Sequence, residues 1–268
     1  MRNKLNAEFK IGAVFTGIIL ALMLISLIYT PYDPYEMSMN IADKLNKPSA
    51  AHWLGTDNFG RDILSRLMAG IKHTMLVAVS TVSISLTTGV LLGLIAGYFG
   101  KALDEVIMRV MDAVSSFPGI LLALVMVTVM HQGRYTIIIP LSILFIPSFT
   151  RIARGGLLQY KSADFVNNAK VFGASRLRII FVHILPNVYP SLLSSLVLGL
   201  SNAIMAESGM SYLGLGLQPP IPSWGRILSE AQAQLFIAPW YAVVSGLFII
   251  FTVVGLNFLG EGIRKLLP

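Results

Sequence analysis

The stretch TMLVAVSTVSISLTTGVLLGLIAG, Thr74 to Gly97, contains no charged residue and is long enough to cross about 30 Å of hydrocarbon as a helix. Outward from it, five more apolar runs bounded by charge, Gly or Pro occur at about 11–30, 107–130, 135–150, 188–207 and 241–260. The run at 135–150 is short and is expected to borrow residues from 151–155. Of the 268 residues, 55% are hydrophobic and 12% charged, against roughly 25% charged in a soluble domain. That excludes an ordinary soluble enzyme and predicts an all-α polytopic membrane protein with six transmembrane helices. The first run follows Arg2, Lys4 and Lys10 as a secretory signal would. It exceeds the usual apolar core of about 7–15 residues, however, and Tyr29-Thr30-Pro31-Tyr32 is a poor cleavage site, so it reads as a permanent span.

With the N-terminus inside, 13 of the 20 Lys and Arg fall on inner segments, at 1–10, 98–109, 151–187 and 261–268. The positive-inside rule then places both termini in the cytoplasm. Residues 1–73 form an N-terminal span with an outer segment, and 74–268 a five-helix core with a large inner loop at 151–187. Trp53, Trp224 and Trp240 all fall on the outer side, where amphipathic rings suit the interface. The net charge of +7 would suggest nucleic acid in a soluble protein, but here the charges sit in loops beside a bilayer, and no nucleic acid is expected.

Chemistry is sparse. Cysteine is absent, which removes disulfides, thiolate metal sites and cysteine nucleophiles. His52, His73, His131 and His183 have no ligand spacing, so no metal site is expected. Gly100-Lys101 is followed by Ala102 and lacks the first glycine of a phosphate loop, so the chain is not expected to hydrolyse ATP. No catalytic motif stands out, and Leu213-Gly214-Leu215-Gly216-Leu217 reads as a tight outer loop. Two carboxylates lie within the apolar runs, Asp112 and Glu207. Ionised there, each costs a few kcal/mol and must face protein or water. They are candidate pathway or gate residues, or else helix ends with a local hydrogen-bonding partner. Gly89, Gly93 and Gly97, spaced by four, form a stripe that lets another helix approach closely.

The inner loop carries the most organised pattern. Ser162 and Asp164 suit a helix start, and Phe165, Ala169 and Phe172 then share one face. Gly173 can adopt the left-handed conformation that ends the helix, and Ser175 can cap a second one running to a break at Pro186. The apolar stripe needs a cover: its own bundle, a groove on another protein, or the inner leaflet with Lys161, Lys170, Arg176 and Arg178 on lipid phosphates.

Here the sequence resembles the permeases of bacterial ABC importers, whose signature is Glu-Ala-Ala, a glycine four residues on and a later Leu-Pro. In this chain it stands as Asn167-Asn168-Ala169, Gly173 and Leu185-Pro186-Asn187. Within that superfamily it is similar to the dipeptide, oligopeptide and nickel permeases, the subunit type with an N-terminal span and outer segment. The supporting stretches are His52 to Asp62, Ala96 to Gly100, Met108-Arg109 with Asp112 and Phe117-Pro118, Gly173 to Ser175 with Arg178, Ala206-Glu207, Tyr212 to Gly216, and Gln218 to Gly225.

The resemblance implies a type I ABC importer permease fold in the bacterial cytoplasmic membrane. The chain would pair with a second homologous permease, two cytoplasmic ATPases carrying ATP and Mg, and an outer solute-binding protein. Asp164, Asn167, Asn168, Ala169 and Gly173 would be the ATPase-coupling residues, and the outer loop 208–240 would line the mouth or close it as a lid. Cargo would be short peptides, nickel or small metal chelates of the opine or metallophore type. Two asparagines replace the usual Glu and Ala, so the helix shape is retained while the glutamate's ionic contact is missing, and the partner ATPase is expected to differ correspondingly. The competing reading is a self-sufficient secondary transporter or channel, which would place ion-binding carboxylates near mid-membrane or break helices in corresponding halves.

Overall fold

The computed structural model describes residues 6–130, 133 and 135–266. Arg2, Lys4, His131 and Arg134 lie outside the described residues. Ten α-helices follow in order: α1 (Ala7–Ser26), α2 (Ile63–Phe99), α3 (Lys101–Ser116), α4 (Gly119–Val129), α5 (Ile138–Tyr160), α6 (Asp164–Val171), α7 (Arg176–Arg178), α8 (Leu185–Tyr212), α9 (Trp224–Gln232) and α10 (Pro239–Leu266). A π-helical turn, Ile179–Ile184, joins α7 to α8, so that Arg176–Tyr212 forms one apolar rod. Among the described residues five rods are long and apolar enough to cross a membrane, and the number is six when the bent pair α3–α4 is counted as one broken span rather than as a re-entrant loop.

The charge-free run lies inside α2, which starts earlier because Asp62 accepts a hydrogen bond from Ser65 N and caps it. Its glycine stripe meets α5 backbone to backbone. A Cβ added at Gly93 would lie 2.4 Å from Thr150 O and 2.8 Å from Ala153 Cβ, so only glycine permits this approach. Between lipid-bathed helices there is little hydrophobic drive, and close van der Waals packing of this kind holds them together. α1 packs on α10, with Phe15 and Phe251 stacked at 4.1 Å and Asn6 Nδ2 donating to Gly262 O at 3.1 Å.

The chain therefore has two ends. At the basic end lie the termini of the described chain and the loop 161–178; at the other, which we call the tryptophan end, lie residues 27–62 and the connection from α8 to α10. Separate apolar clusters support them: Leu94, Ala153, Leu157, Val166 and Ile184 at the first, and Ile63, Leu67, Trp224, Ile227 and Tyr241 at the second.

Three expectations are corrected. The 107–130 run is not one straight helix: α3 and α4 meet at 90° across Phe117-Pro118. Proline pushes the preceding residue out of the helical region, and Phe117 is extended, with φ −84 and ψ 140. Pro186 does not break the chain's course, because it occupies the first turn of α8, where its missing N–H is not needed, just after the wider π turn. Trp224 is not an interfacial ring but the largest fully buried side chain; its Nε1 donates to Leu67 O at 3.1 Å. Only Trp53 is well exposed.

Candidate functional site

At the basic end, α6 starts at Asp164 after Ala163, with neither Ser162 nor Asp164 capping it through a side chain. Gly173 ends it with φ +77, a conformation that side-chain-bearing residues rarely adopt, and Ser175 Oγ accepts from Arg178 N to start α7. The fully buried side chain of the helix is Val166, in one apolar cluster with Leu157, Ile179 and Ile184, and the helix packs on the π-helical turn. The predicted stripe faces elsewhere: Phe165 is half-buried to exposed and Phe172 89% exposed, joined by Val171 at 85% and Leu177 at 68%. The chain's own bundle thus covers the stripe only in part, with Phe165 against the Tyr160 ring and Ala169 half-buried, and leaves Phe172 bare. Asn167 and Asn168 are exposed and Ala169 half-buried. Asn167 Nδ2 donates to Ser162 O at 3.2 Å and its Oδ1 accepts from Lys170 Nζ at 3.2 Å. Lys161 is tied down, its Nζ donating to Gly97 O at 3.0 Å and Tyr98 O at 2.6 Å, the last carbonyls of α2. The loop is a short helix with bare apolar and basic faces on a fixed pedestal.

At the tryptophan end, a buried ion network joins three segments. Arg66 Nη1 donates to Asp57 Oδ2 at 2.6 Å, to Glu230 Oε2 at 2.7 Å and to Tyr241 Oη at 3.2 Å. Arg61 Nε donates to Asp57 Oδ2 at 2.7 Å and Arg61 Nη2 to Glu230 Oε2 at 3.0 Å, while Arg226 Nε reaches Glu230 Oε1 at 3.3 Å. Asp57 and Arg66 are sealed from solvent. Burial works to raise the Glu230 carboxyl, but the hydrogen bond and charge of Arg66, with the charges of Arg61 and Arg226, outweigh it and hold Glu230 below the ordinary carboxylate range. This network clamps the segment before α2, α9 and the start of α10 into one body.

The two carboxylates of the apolar runs stand toward opposite ends. Asp112 is on the exposed side of α3, where Arg151 Nη2 donates to its Oδ1 at 2.8 Å and to Ser115 Oγ at 3.1 Å. Glu207 is fully buried near the end of α8. Its Oε1 accepts from Ser211 Oγ at 2.6 Å, and Ser211 Oγ accepts from Leu217 N at 3.3 Å, while Glu207 Oε2 is buried without a hydrogen-bond partner. Glu207 thereby holds the turn after α8 to the helix.

Sequence reasoning assigned no role to Arg61, Arg66, Asp57, Glu230 or Tyr241, nor to the bidentate pair in which Arg154 donates to Asp104 at 2.5 and 2.7 Å. The available signal was density: Asp57, Arg61, Asp62 and Arg66 lie within ten residues of a charge-poor chain, with Asp57 and Arg61 in i, i+4 spacing.

The family described as "Binding-protein-dependent transport system inner membrane component" matches residues 89–268. The chain is 37% identical over 258 residues to a glutathione transport system permease protein of Pectobacterium atrosepticum, covering 95% of this chain and 86% of that one. It is 38% identical over 228 residues to a dipeptide transport system permease protein of Alkalihalophilus pseudofirmus, covering 85% and 75%. Against a dipeptide transport system permease protein of Haemophilus influenzae the identity is 34% over 271 residues, covering 98% and 91%. A solved chain of the MetNI methionine ABC transporter, in an inward-facing conformation, superposes with a TM-score of 0.63 over 75% of this chain and 96% of that one. At 17% identity that likeness speaks for the fold, and it is the type I permease fold expected from the sequence.

Proposed function

This chain belongs to the binding-protein-dependent transport system inner membrane components, and from that premise we propose that it forms half of the translocation pathway of a bacterial importer for short peptides, of the dipeptide and glutathione kind. The observation that carries the reading is the loop at the basic end, where Val171, Phe172 and Leu177 stand bare and Val166 is buried beneath them. An exposed apolar helix of this sort fits a groove on another protein.

The remaining assignments follow from it. The basic end and both termini lie in the cytoplasm, in keeping with the inner bias of Lys and Arg. Two ATPases carrying ATP and Mg grip the loop, with Asp164, Asn167, Asn168, Ala169 and Gly173 as contacts or supports. Their closure displaces α6 as a rigid body, and the π-helical turn on which it packs passes the movement to α8. A second, homologous permease completes the pathway, residues 1–73 add the N-terminal span and outer segment to the core of 74–268, and a solute-binding protein docks at the tryptophan end. The peptide assignment leans on the names of the relatives; nickel and metal chelates remain cargo that the same experiment separates. Family membership leaves no need for the self-powered transporter or channel.

Uptake of labelled dipeptide, glutathione and nickel is compared between cells carrying the native chain and the Gly173→Pro variant. A positive φ is closed to proline, so α6 loses its end while the spans are untouched. Peptide or glutathione uptake is expected to vanish at unchanged membrane levels of the chain, with the ATPases no longer co-purifying. Normal uptake overturns the coupling assignment, and loss of nickel uptake alone overturns the peptide cargo.

A further inference from the structure

We propose that the recess between the C-terminal end of α2 and the loop helices holds the phosphate of an anionic phospholipid. The recess, of about 320 Å³, is lined by Phe99, Lys161, Val166, Lys170, Arg176 and Ile179 among others, and no carboxylate is among its lining residues. The charge inventory of the loop singles it out. Arg151 is paired with Asp112 and Arg154 with Asp104, and Lys161 is held on the carbonyls of α2. Among the described residues, no ion pair engages Lys170 or Arg176. Lys170 has only two long bonds, to Lys161 O at 3.4 Å and Asn167 Oδ1 at 3.2 Å. Two uncompensated cations therefore flank a cavity with an apolar floor, since Val166, Ile179 and Ile184 are buried.

Position decides between a lipid and a soluble anion. The recess opens where the apolar rod α2 ends, beside Phe99, which is 52% exposed at that boundary. Headgroup phosphates lie at this level of a bilayer, with acyl chains against the rod, and basic pockets between spans suit such headgroups. A cationic rim over an apolar floor matches an amphiphile better than a hydrated ion. The inference needs the chain to span a bilayer and is independent of cargo and of ATPase coupling.

The transporter containing the full chain is purified and its retained lipid counted by native mass spectrometry, with phosphatidylglycerol and phosphatidylcholine as probes. The native chain should retain phosphatidylglycerol preferentially, and the Lys170→Gln/Arg176→Gln double variant should retain at least about tenfold less, two surface cations being removed. Arg178→Gln, which removes a loop cation outside the recess, should leave retention unchanged, and single Arg176→Gln serves if the double variant does not insert. Equal retention of both lipids, equal retention by the variants, an equal loss with Arg178→Gln, or displacement by inorganic phosphate would each overturn the proposal.

Discussion

At the tryptophan end, Asp57, Arg61, Arg66, Glu230 and Tyr241 converge from three segments and are nearly sealed from solvent, whereas at the basic end the exposed loop groups Asn167, Lys170 and Ser175 bond only within nine positions of themselves. A network of charges that bond one another across three segments fixes their geometry, even with the buried Arg66 Nε left unbonded. A helix with bare Val171 and Phe172, whose one buried side chain is Val166, leaves apolar surface uncovered by the chain. The first end is held together from within, while the second leaves apolar surface uncovered, as the proposed coupling role requires.

The comparison breaks most readily at Arg66. Replacing it with Met removes one of the two arginines that bridge Asp57 and Glu230 in a buried site and leaves Arg61 alone between them, and loss of one member of such a cluster costs about 3–5 kcal/mol. The unfolding temperature of the purified chain in detergent should fall sharply; an unchanged value would mean the network is not a clamp. Phe172→Asp tests the opposite end. Uptake should drop at least about tenfold, as at a buried interface anchor, while the unfolding temperature stays put because the side chain is 89% exposed. A matching loss of stability would make Phe172 a structural residue.

Acid sharpens the contrast further. Glu230 lies below its ordinary value of 4.5 in the folded chain, so its contribution is complete above that pH and is lost as the pH falls through the lower, folded value. A thermal unfolding series into acid should show a steeper decline for the native chain than for Glu230→Gln; identical slopes would remove Glu230 from the clamp. The smallest effect is expected at Asn167, whose exposed side chain makes only local bonds. Asn167→Glu should change uptake by no more than about twofold, since a new exposed pair with Lys170 contributes little. A clear gain in transport would show that the partner ATPase still expects the family's glutamate.

How much was legible follows from the reach of each signal. Gly89, Gly93 and Gly97 announce a close helix approach because spacing by four puts them on one face, and α5 sits there. The α6 helix and its end at Gly173 are equally local. Which face of α6 would be bare was not legible: Phe165, Ala169 and Phe172 share a stripe, but the buried contact is Val166, one position round the helix. Glu207 and Asp112 stood out as carboxylates in apolar runs, and only their surroundings separate them, a buried bond to Ser211 for one and an exposed arginine pair for the other.

What the sequence determined alone is therefore the set of spans, the small-residue stripe and the short loop helix, because hydropathy, residue size and backbone restriction act over a turn or a run. The tertiary structure decided the clamp in which Arg66 meets Glu230 across 164 positions, the burial of Trp224, and the face of α6 left for a partner. Those outcomes depend on which helices lie side by side, and no local pattern encodes a distance between residues that far apart in the chain.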